Sequence, residues 1–205
     1  VKAVHSEKPM APTWGECKEI ARIAEKTGCQ LTFCHQRRFA PGNLKVRELL
    51  REGVFGKILR MDMYSPKNLL DCGTHTLDQA LSFNDESPAK WALAALDTSE
   101  LIQWFDVRAE VMAVGTVVFE NGVNGYLQVG NPDQDMGSGV RVHGEKGFIE
   151  VGWDGQVSKA ILLDDPSWEF PEVEGDPQAD AMQGTVSNAI DCMESGEEPE
   201  LSYKK

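Results

Sequence analysis

The sequence predicts an α+β fold: an open, mainly antiparallel sheet with flanking helices, preceded by one βαβ piece of a parallel sheet. Three observations lead there. The first 35 residues read strand, helix, strand. Two further amphipathic helical segments follow, with a strand between them. The stretch from Lys90 to about Leu163 is mostly strand-like and carries hairpin turn signals.

The elements can be justified in order. Thr13-Trp-Gly-Glu16 has the form of a capping box, so a helix begins at Thr13. Cys17, Ile20, Ala21 and Ala24 recur at helical spacing, and Gly28 offers the left-handed cap that ends it. Gln30 to Cys34 is short and mostly apolar, which suits a buried strand. From Pro41, Leu44, Val46, Leu49 and Leu50 form a second helix that stops at Gly53. The strand after it alternates, with Leu59, Met61 and Met63 on one face and Arg60 and Asp62 on the other. A third helix starts between Asp71 and Thr74 and runs through Leu77, Ala80 and Leu81. In the following meander, Asn121-Gly122 and Glu145-Lys-Gly147 are hairpin turns. Asp164 to Gln178 is an irregular, Pro- and acid-rich connection. A last helix spans about Ala179 to Ser195, with Met182, Val186, Ala189 and Met193 on one side and Gly196 at its end. No closing element is visible after it.

Composition narrows the classes of function. A chain of 205 residues can bury a sizeable core without disulfide or metal staples. No apolar run approaches the ~18 residues that a membrane helix needs, and the first residues lack the pattern of a secretory signal. The five cysteines, Cys17, Cys29, Cys34, Cys72 and Cys192, are odd in number and scattered, which points to reduced, cytoplasmic usage. A net charge of -13 with no basic stripe beyond Arg37-Arg38 would repel a polyphosphate backbone, so nucleic acid is not an expected partner, and neither is a membrane.

Asp71, His75 and Asp78 stand at i, i+4 and i+7, so on a regular helix their side chains share a face. Histidine titrates near neutrality and an adjacent carboxylate can fix its tautomer, which makes His75 a candidate general base. The plainer alternative has Asp71 or Thr74 capping the helix, His75 as a half-buried structural residue and Asp78 solvated. Glu7-Lys8-Pro9 closes a short strand just before a capped helix, where parallel strands face a ligand crevice. Lys8 can point into such a crevice, or be an ordinary surface lysine. Arg37 and Arg38 follow the second strand and are either crevice arginines or a surface pair. Cys29, Cys34 and His35 lack a matching second cluster and read as core groups, not a zinc site.

Taken together, these pieces resemble the Gfo/Idh/MocA oxidoreductases, named for glucose-fructose oxidoreductase, inositol dehydrogenase and a rhizopine-catabolism protein. His5-Ser-Glu7-Lys8-Pro9-Met-Ala11 is similar to the family's Glu-Lys-Pro motif, and Gln36-Arg37-Arg38-Phe39-Ala-Pro41 to its crossing into a second domain. Gly53-Val-Phe-Gly56-Lys57-Ile58 resembles the Gly-x-x-Gly-Lys-Ile stretch that opens the second sheet, and Asp71 to Asp78 the Asp-x-x-x-His-x-x-Asp helix. The resemblance implies that residues 1–35 are the C-terminal remnant of a dinucleotide-binding Rossmann domain and residues 36–205 an α+β substrate and oligomerisation domain. It further implies NAD or NADP as cofactor, a sugar, inositol or related polyol as substrate, and a homo-oligomer formed through the exposed sheet face. Lys8, Asp71 and His75 would be the catalytic set, with Lys8 positioning cofactor and substrate, His75 taking the hydroxyl proton and Asp71 orienting the histidine. Asp78 would join these three against the substrate, and Glu7, Lys8, Pro9 and Arg38 would lie against the cofactor.

The sequence departs from the family pattern in three ways. It has no Gly-x-Gly-x-x-Gly strand-turn-helix, so these residues are expected to hold a dinucleotide poorly on their own. The connection from Met63 to Asp71 is short, and no closing helix follows the last predicted one. The alternative reading is a non-catalytic relative, or a truncated product, that binds a ligand or associates with itself.

Overall fold

The computed structural model describes residues 1–130 and 137–204. The segment 131–136, which falls inside the expected strand-rich run, lies outside the described residues.

Strand β1 (Ala3–Ser6), helix α1 (Trp14–Thr27) and strand β2 (Gln30–Phe33) form the expected opening unit, with β1 and β2 paired in parallel from Ala3 opposite Gln30 to Ser6 opposite Phe33. The Thr13 hydroxyl accepts from the Glu16 backbone N–H, and Gly28 ends the helix in the left-handed region at φ 65°. The chain end runs beside β2. Phe33 N–H donates to the Leu201 carbonyl at 3.2 Å, Tyr203 N–H to that of Leu31 at 3.1 Å, and Thr32 forms an antiparallel bridge with Ser202. The closing element invisible in the sequence is thus an irregular segment held by backbone hydrogen bonds.

A 3-10 turn (Gln36–Phe39) leads into α2 (Pro41–Arg51), whose first position is a proline. Then come β3 (Ile58–Ser65), a π-turn (Leu69–Gly73) and α3 (Thr74–Phe83). The strands after it are β4 (Ala89–Asp97), β5 (Ile102–Trp104), β6 (Val107–Ala109), β7 (Met112–Phe119), β8 (Asn124–Gly130), β9 (Gly139–Gly144), β10 (Gly147–Gly152) and β11 (Val157–Leu162); α4 (Ala179–Ser195) is the last helix. Both hairpin turns lie where the sequence puts them, between β7 and β8 and between β9 and β10.

The large sheet has the order β11-β10-β9-β3-β8-β7-β4, and β5 and β6 pair separately as a hairpin. The sheet is therefore mixed and mainly antiparallel, not the continuous meander expected. Strand β3 enters between β8 and β9, parallel to β8. One sheet face packs Met61, Met63, Val140, Val142, Ile149 and Val151 against Val46, Leu49 and Leu50 of α2 and Ala80 and Phe83 of α3. On the other face, Leu93 is 70% exposed and Trp91, Val114 and Tyr126 are also exposed.

Three periodicity readings need correction. Leu59 does not share the buried face of Met61 and Met63: a register irregularity between Ile58 and Arg60 leaves it exposed. Leu44 is exposed, while Gly42 and Asn43 are buried on α2. In α4 the buried residues are Ala181, Thr185 and Cys192, whereas Met182, Val186 and Met193 are exposed. Small residues face inward there because the 3-10 turn comes so close: a Cβ on Gly184 would lie 2.7 Å from that of Phe39. Among the described residues, no helix is long and apolar enough to cross a membrane.

A comparable close approach gives a stability test. A Cβ on Gly42 would stand 2.1 Å from the Gly155 carbonyl oxygen, a backbone atom that cannot rotate away. Gly42→Ala is expected to lower unfolding free energy by about 1 to 3 kcal/mol, the usual cost of overpacking, in urea titration. An unchanged midpoint would show that α2 can shift at no cost.

Candidate functional site

The site forms where the end of β1 meets the π-turn before α3. Glu7 is exposed, while Lys8 and Pro9, joined by a cis peptide bond, are half-buried. Lys8 Nζ donates to the Asp71 backbone carbonyl at 2.7 Å and lies 3.4 Å from Asp71 Oδ1. Lys67 Nζ lies 3.6 Å from the other carboxylate oxygen, so Asp71 stands between two ammonium groups. Its own N–H donates to Asn68 Oδ1 at 2.8 Å, which fixes the turn from its start. Two motifs 63 residues apart in sequence are therefore one site.

His75 is in the first turn of α3 and 7% exposed. Its ring meets that of His35 edge to face at 5.3 Å, and its Nδ1 is buried without a hydrogen-bond partner. Burial, followed by the charges of Arg37, His35 and Lys8, pushes its pKa from the ordinary 6.5 down to about 2. The ring is thus neutral, and the same burial and positive charges disfavour its taking up a proton.

Asp71, Asp78 and Arg38 do not stand on one regular helical face with His75. The reading in which Asp71 orients His75 assumed a regular helix through both. Instead Leu69–Gly73 winds as a π-turn and α3 begins at Thr74, so the i, i+4 relation fails and Asp71 turns to Lys8 and Lys67. Asp78 is held by Arg38, whose Nε and Nη2 donate to its two oxygens, each at 2.8 Å. Arg38, expected against a cofactor, is 3% exposed and also paired with Glu86. Burial alone would weaken its charge, but Asp78 and Glu86 outweigh that and hold the guanidinium more firmly protonated than usual. Arg38 and Asp78 are therefore bound to each other, and both line a cavity of about 270 Å³ with His35 and Thr74.

The structure adds residues that the sequence reading did not assign. Trp104, from the β5–β6 hairpin, places its ring centroid 5.6 Å from Lys8 Nζ. No spacing signal connects positions 8 and 104. Arg37 and His35 also lie in this region, and their charges or rings act on His75. The Arg37-Arg38 pair was visible, but not which arginine is paired. A cleft of about 570 Å³ opens elsewhere, between the C-terminal ends of α1 and α4, and reaches none of Lys8, Asp71 or His75. Among the described residues, no group of three or more His, Cys, Asp or Glu side chains is placed to hold a metal ion.

Comparison with known proteins follows the same line. No family model matches the sequence. The chain is 41% identical over 58 residues to a D-xylose dehydrogenase of Paenarthrobacter nicotinovorans, covering 28% of this chain and 15% of that protein. It is 26% identical over 200 residues to the scyllo-inositol 2-dehydrogenase (NADP(+)) IolW of Bacillus subtilis, covering 85% of this chain and 53% of that one. The crystal structure of the WlbA dehydrogenase from Bordetella pertussis, in complex with NADH and UDP-GlcNAcA, superposes with a TM-score of 0.75 at 18% identity, over 98% of this chain and 65% of that one. The chain thus spans about half the length of the inositol dehydrogenase it matches.

The relatives named here are dehydrogenases, and the likeness to the solved structure extends over nearly all of this chain. Its motifs resemble those of the Gfo/Idh/MocA oxidoreductases, and the similar proteins named here agree with that resemblance.

The displaced pKa of His75 has a measurable consequence. In the unfolded chain the ring titrates near its ordinary 6.5 and in the folded chain near 2, so between these values the unfolded state holds more protons. The fold keeps this contribution above about pH 6.5 and loses stability as pH falls below it. Between pH 7 and pH 5 the unaltered protein should lose roughly 1 to 2 kcal/mol more than His75→Asn in denaturant titrations. Equal losses would mean that the ring titrates normally in the folded state.

Proposed function

We propose that this chain is the substrate-domain portion of an NAD(P)-dependent oxidoreductase acting on a hydroxyl group of a sugar, inositol or related polyol. In this reading residues 1–35 are the last βαβ piece of a Rossmann-type sheet and residues 36–205 are the substrate domain. The contact that carries the reading is Lys8 Nζ on the Asp71 carbonyl, because it joins the end of a parallel strand to the turn that leads into the helix bearing the candidate base. The parallel pairing of β1 and β2 across α1 supports the first part. The sugar and inositol dehydrogenases among the relatives support the second.

The residues present fit one end of a nicotinamide dinucleotide and not the other. Glu7, Lys8 and Pro9 stand where a nicotinamide ring would meet a substrate. The turn into α1 does not suit a pyrophosphate: Glu16 in the first helical turn accepts from the Thr13 hydroxyl at 2.7 Å and brings negative charge to that terminus. The sequence offers no glycine-rich turn in its place. We therefore expect these residues alone to bind cofactor weakly. When bound, a nicotinamide would supply hydride transfer.

The chain's own residues would manage position and proton. Lys8, held by Asp71, directs its ammonium toward the reacting oxygen and favours charge developing there. His75, neutral in the free chain, would take the hydroxyl proton once bound ligand offsets the positive charge around it. Asp71 acts by fixing Lys8, and Arg38 with Asp78 holds α3 in place. The scattered cysteines, none of which forms a disulfide among the described residues, support a cytoplasmic setting.

The test joins the chain to a glycine-rich dinucleotide-binding segment and follows reduction of NAD and NADP with a panel of sugars and inositols. Turnover is expected, with Lys8→Ala and His75→Ala each lowering kcat by about 100-fold or more. Full activity in both variants would remove the site assignment, and binding without turnover would favour a non-catalytic relative.

We also propose a homo-oligomer through the sheet face bearing Trp91, Leu93, Val114 and Tyr126, all of them exposed large hydrophobic groups. Light scattering after size exclusion should give a dimer or tetramer at micromolar concentration, and Leu93→Glu should reduce it to monomer. A monomeric unaltered protein would rule the interface out.

A further inference from the structure

Trp104 stands over the Lys8 ammonium, and the contacts that bring it there form a closed circuit. Lys8 Nζ donates to the carbonyl of Asp71 in the π-turn. At the start of the same turn, Leu69 N–H donates to Glu110 Oε1 at 2.6 Å, and Glu110 is 8% exposed. Glu110 directly follows β6, whose hairpin partner β5 ends in Trp104. The Trp104 ring centroid in turn lies 5.6 Å from Lys8 Nζ. One turn of chain therefore holds both the lysine and the hairpin that covers it.

The hairpin has features that its own stability does not explain. Among the described residues β5 and β6 pair only with each other, and two strands of three residues are marginal by themselves. The turn between them puts Phe105, a bulky residue 81% exposed, in the left-handed region at φ 49°, which residues other than glycine rarely adopt. Such strain persists where surrounding contacts over-determine it, and it clusters at functional sites. Here Gln103 Nε2 donates to the Phe105 carbonyl, and the Phe105 ring meets that of Trp104 edge to face at 5.0 Å. The two ammonium groups on Asp71 differ accordingly. The Lys8 side chain, beside Trp104, is 13% exposed, whereas that of Lys67, on the other carboxylate oxygen, is 65% exposed.

We infer that Trp104 is a positioning residue for Lys8: its ring holds the ammonium against Asp71 and keeps water from it, so that the charge is fixed in place for a substrate oxygen. This rests on the reading of Lys8 as the group that directs a substrate hydroxyl. A ring face attracts a cation without neutralising it, as a second carboxylate would, and the attraction strengthens when water is excluded. A fixed ammonium in a water-poor setting favours developing negative charge more than a mobile, hydrated one does. The small hairpin is thus the means by which a tryptophan distant in sequence reaches the end of β1.

Trace acylation of the 205-residue chain with acetic anhydride, read lysine by lysine by mass spectrometry, tests this, with Lys67 as the internal reference. Lys8 is expected to react about tenfold or more slowly than Lys67, and Trp104→Ala to raise the Lys8 rate about fivefold or more while leaving Lys67 within about twofold. Trp104→Tyr, which keeps a ring face, should retain most of the protection, whereas Trp104→Leu, which keeps apolar bulk without one, should lose most of it. Equal rates for Lys8 and Lys67, a Lys8 rate unchanged in Trp104→Ala, or equal Lys8 rates in the tyrosine and leucine variants overturn the assignment. Should Trp104→Ala fail to fold, Lys8→Met in protein labelled with 5-fluorotryptophan decides. The Trp104 fluorine resonance, identified by its loss in Trp104→Tyr, should then move more than those of Trp14, Trp91, Trp153 and Trp168, and equal shifts overturn the contact. The two readings fail separately: ring-dependent protection of Lys8 without nicotinamide reduction by the joined protein sinks only the dehydrogenase, and turnover that Trp104→Ala leaves unchanged sinks only the positioning role.

Discussion

A guanidinium enclosed by two carboxylates ties this molecule together. Arg38 leaves the turn after β2 and reaches Asp78 on α3 with two hydrogen bonds, while Glu86, just past the end of α3, closes on its remaining side. Each of these charges would be expensive to bury alone, and their mutual bonding offsets the cost only when all three are in place. That requirement fixes α3 against the 3-10 turn. It therefore fixes His75, one turn before Asp78, and the π-turn that delivers Asp71 to Lys8. The same short turn receives α4 at Gly184 and lies beside the Asn43–Gln79 amide chain. Four elements thus take their positions from residues 36–39.

The local electrostatics run against the chain as a whole. The protein carries a net charge of -13, yet Lys8, Lys67, Arg37 and Arg38 gather around the end of β1. Asp71, Asp78 and Glu86 are all engaged there by three of these cations, and only Arg37 is left over. His75 is consequently neutral in a positive field. Such a site favours a ligand able to accept hydrogen bonds and develop negative charge, which is the property of an alkoxide forming from a hydroxyl.

The sheet explains how an open surface and a closed core coexist. Strand β3 enters between β8 and β9, so the sheet centre is built from strands far apart in sequence, and its inner face is filled by methionine, valine and isoleucine. The opposite face keeps large apolar groups in solvent toward β4. The β5–β6 hairpin leaves this edge and brings Trp104 to Lys8, linking the sheet edge to the site.

The sequence alone determined the elements whose signals are local. Thr13 and Gly28 bounded α1 because capping is settled within one turn of chain. The turns at Asn121-Gly122 and Glu145-Lys146 were legible because backbone geometry there selects particular residues. The motifs around Lys8 and Asp71 to Asp78 carried the resemblance to a family, since each is a short string. What only the tertiary structure decided depends on groups brought together from a distance. Periodicity could not reveal that a π-turn separates Asp71 from His75, because one extra residue in a turn shifts the angle without changing the spelling. It could not choose the buried face of α4, where close approach to Phe39 favours small residues over apolar ones. Nor could it tell Arg38 from Arg37, two identical neighbours in sequence. Their difference lies in which carboxylates the fold carries to each, and that is a property of the packed chain.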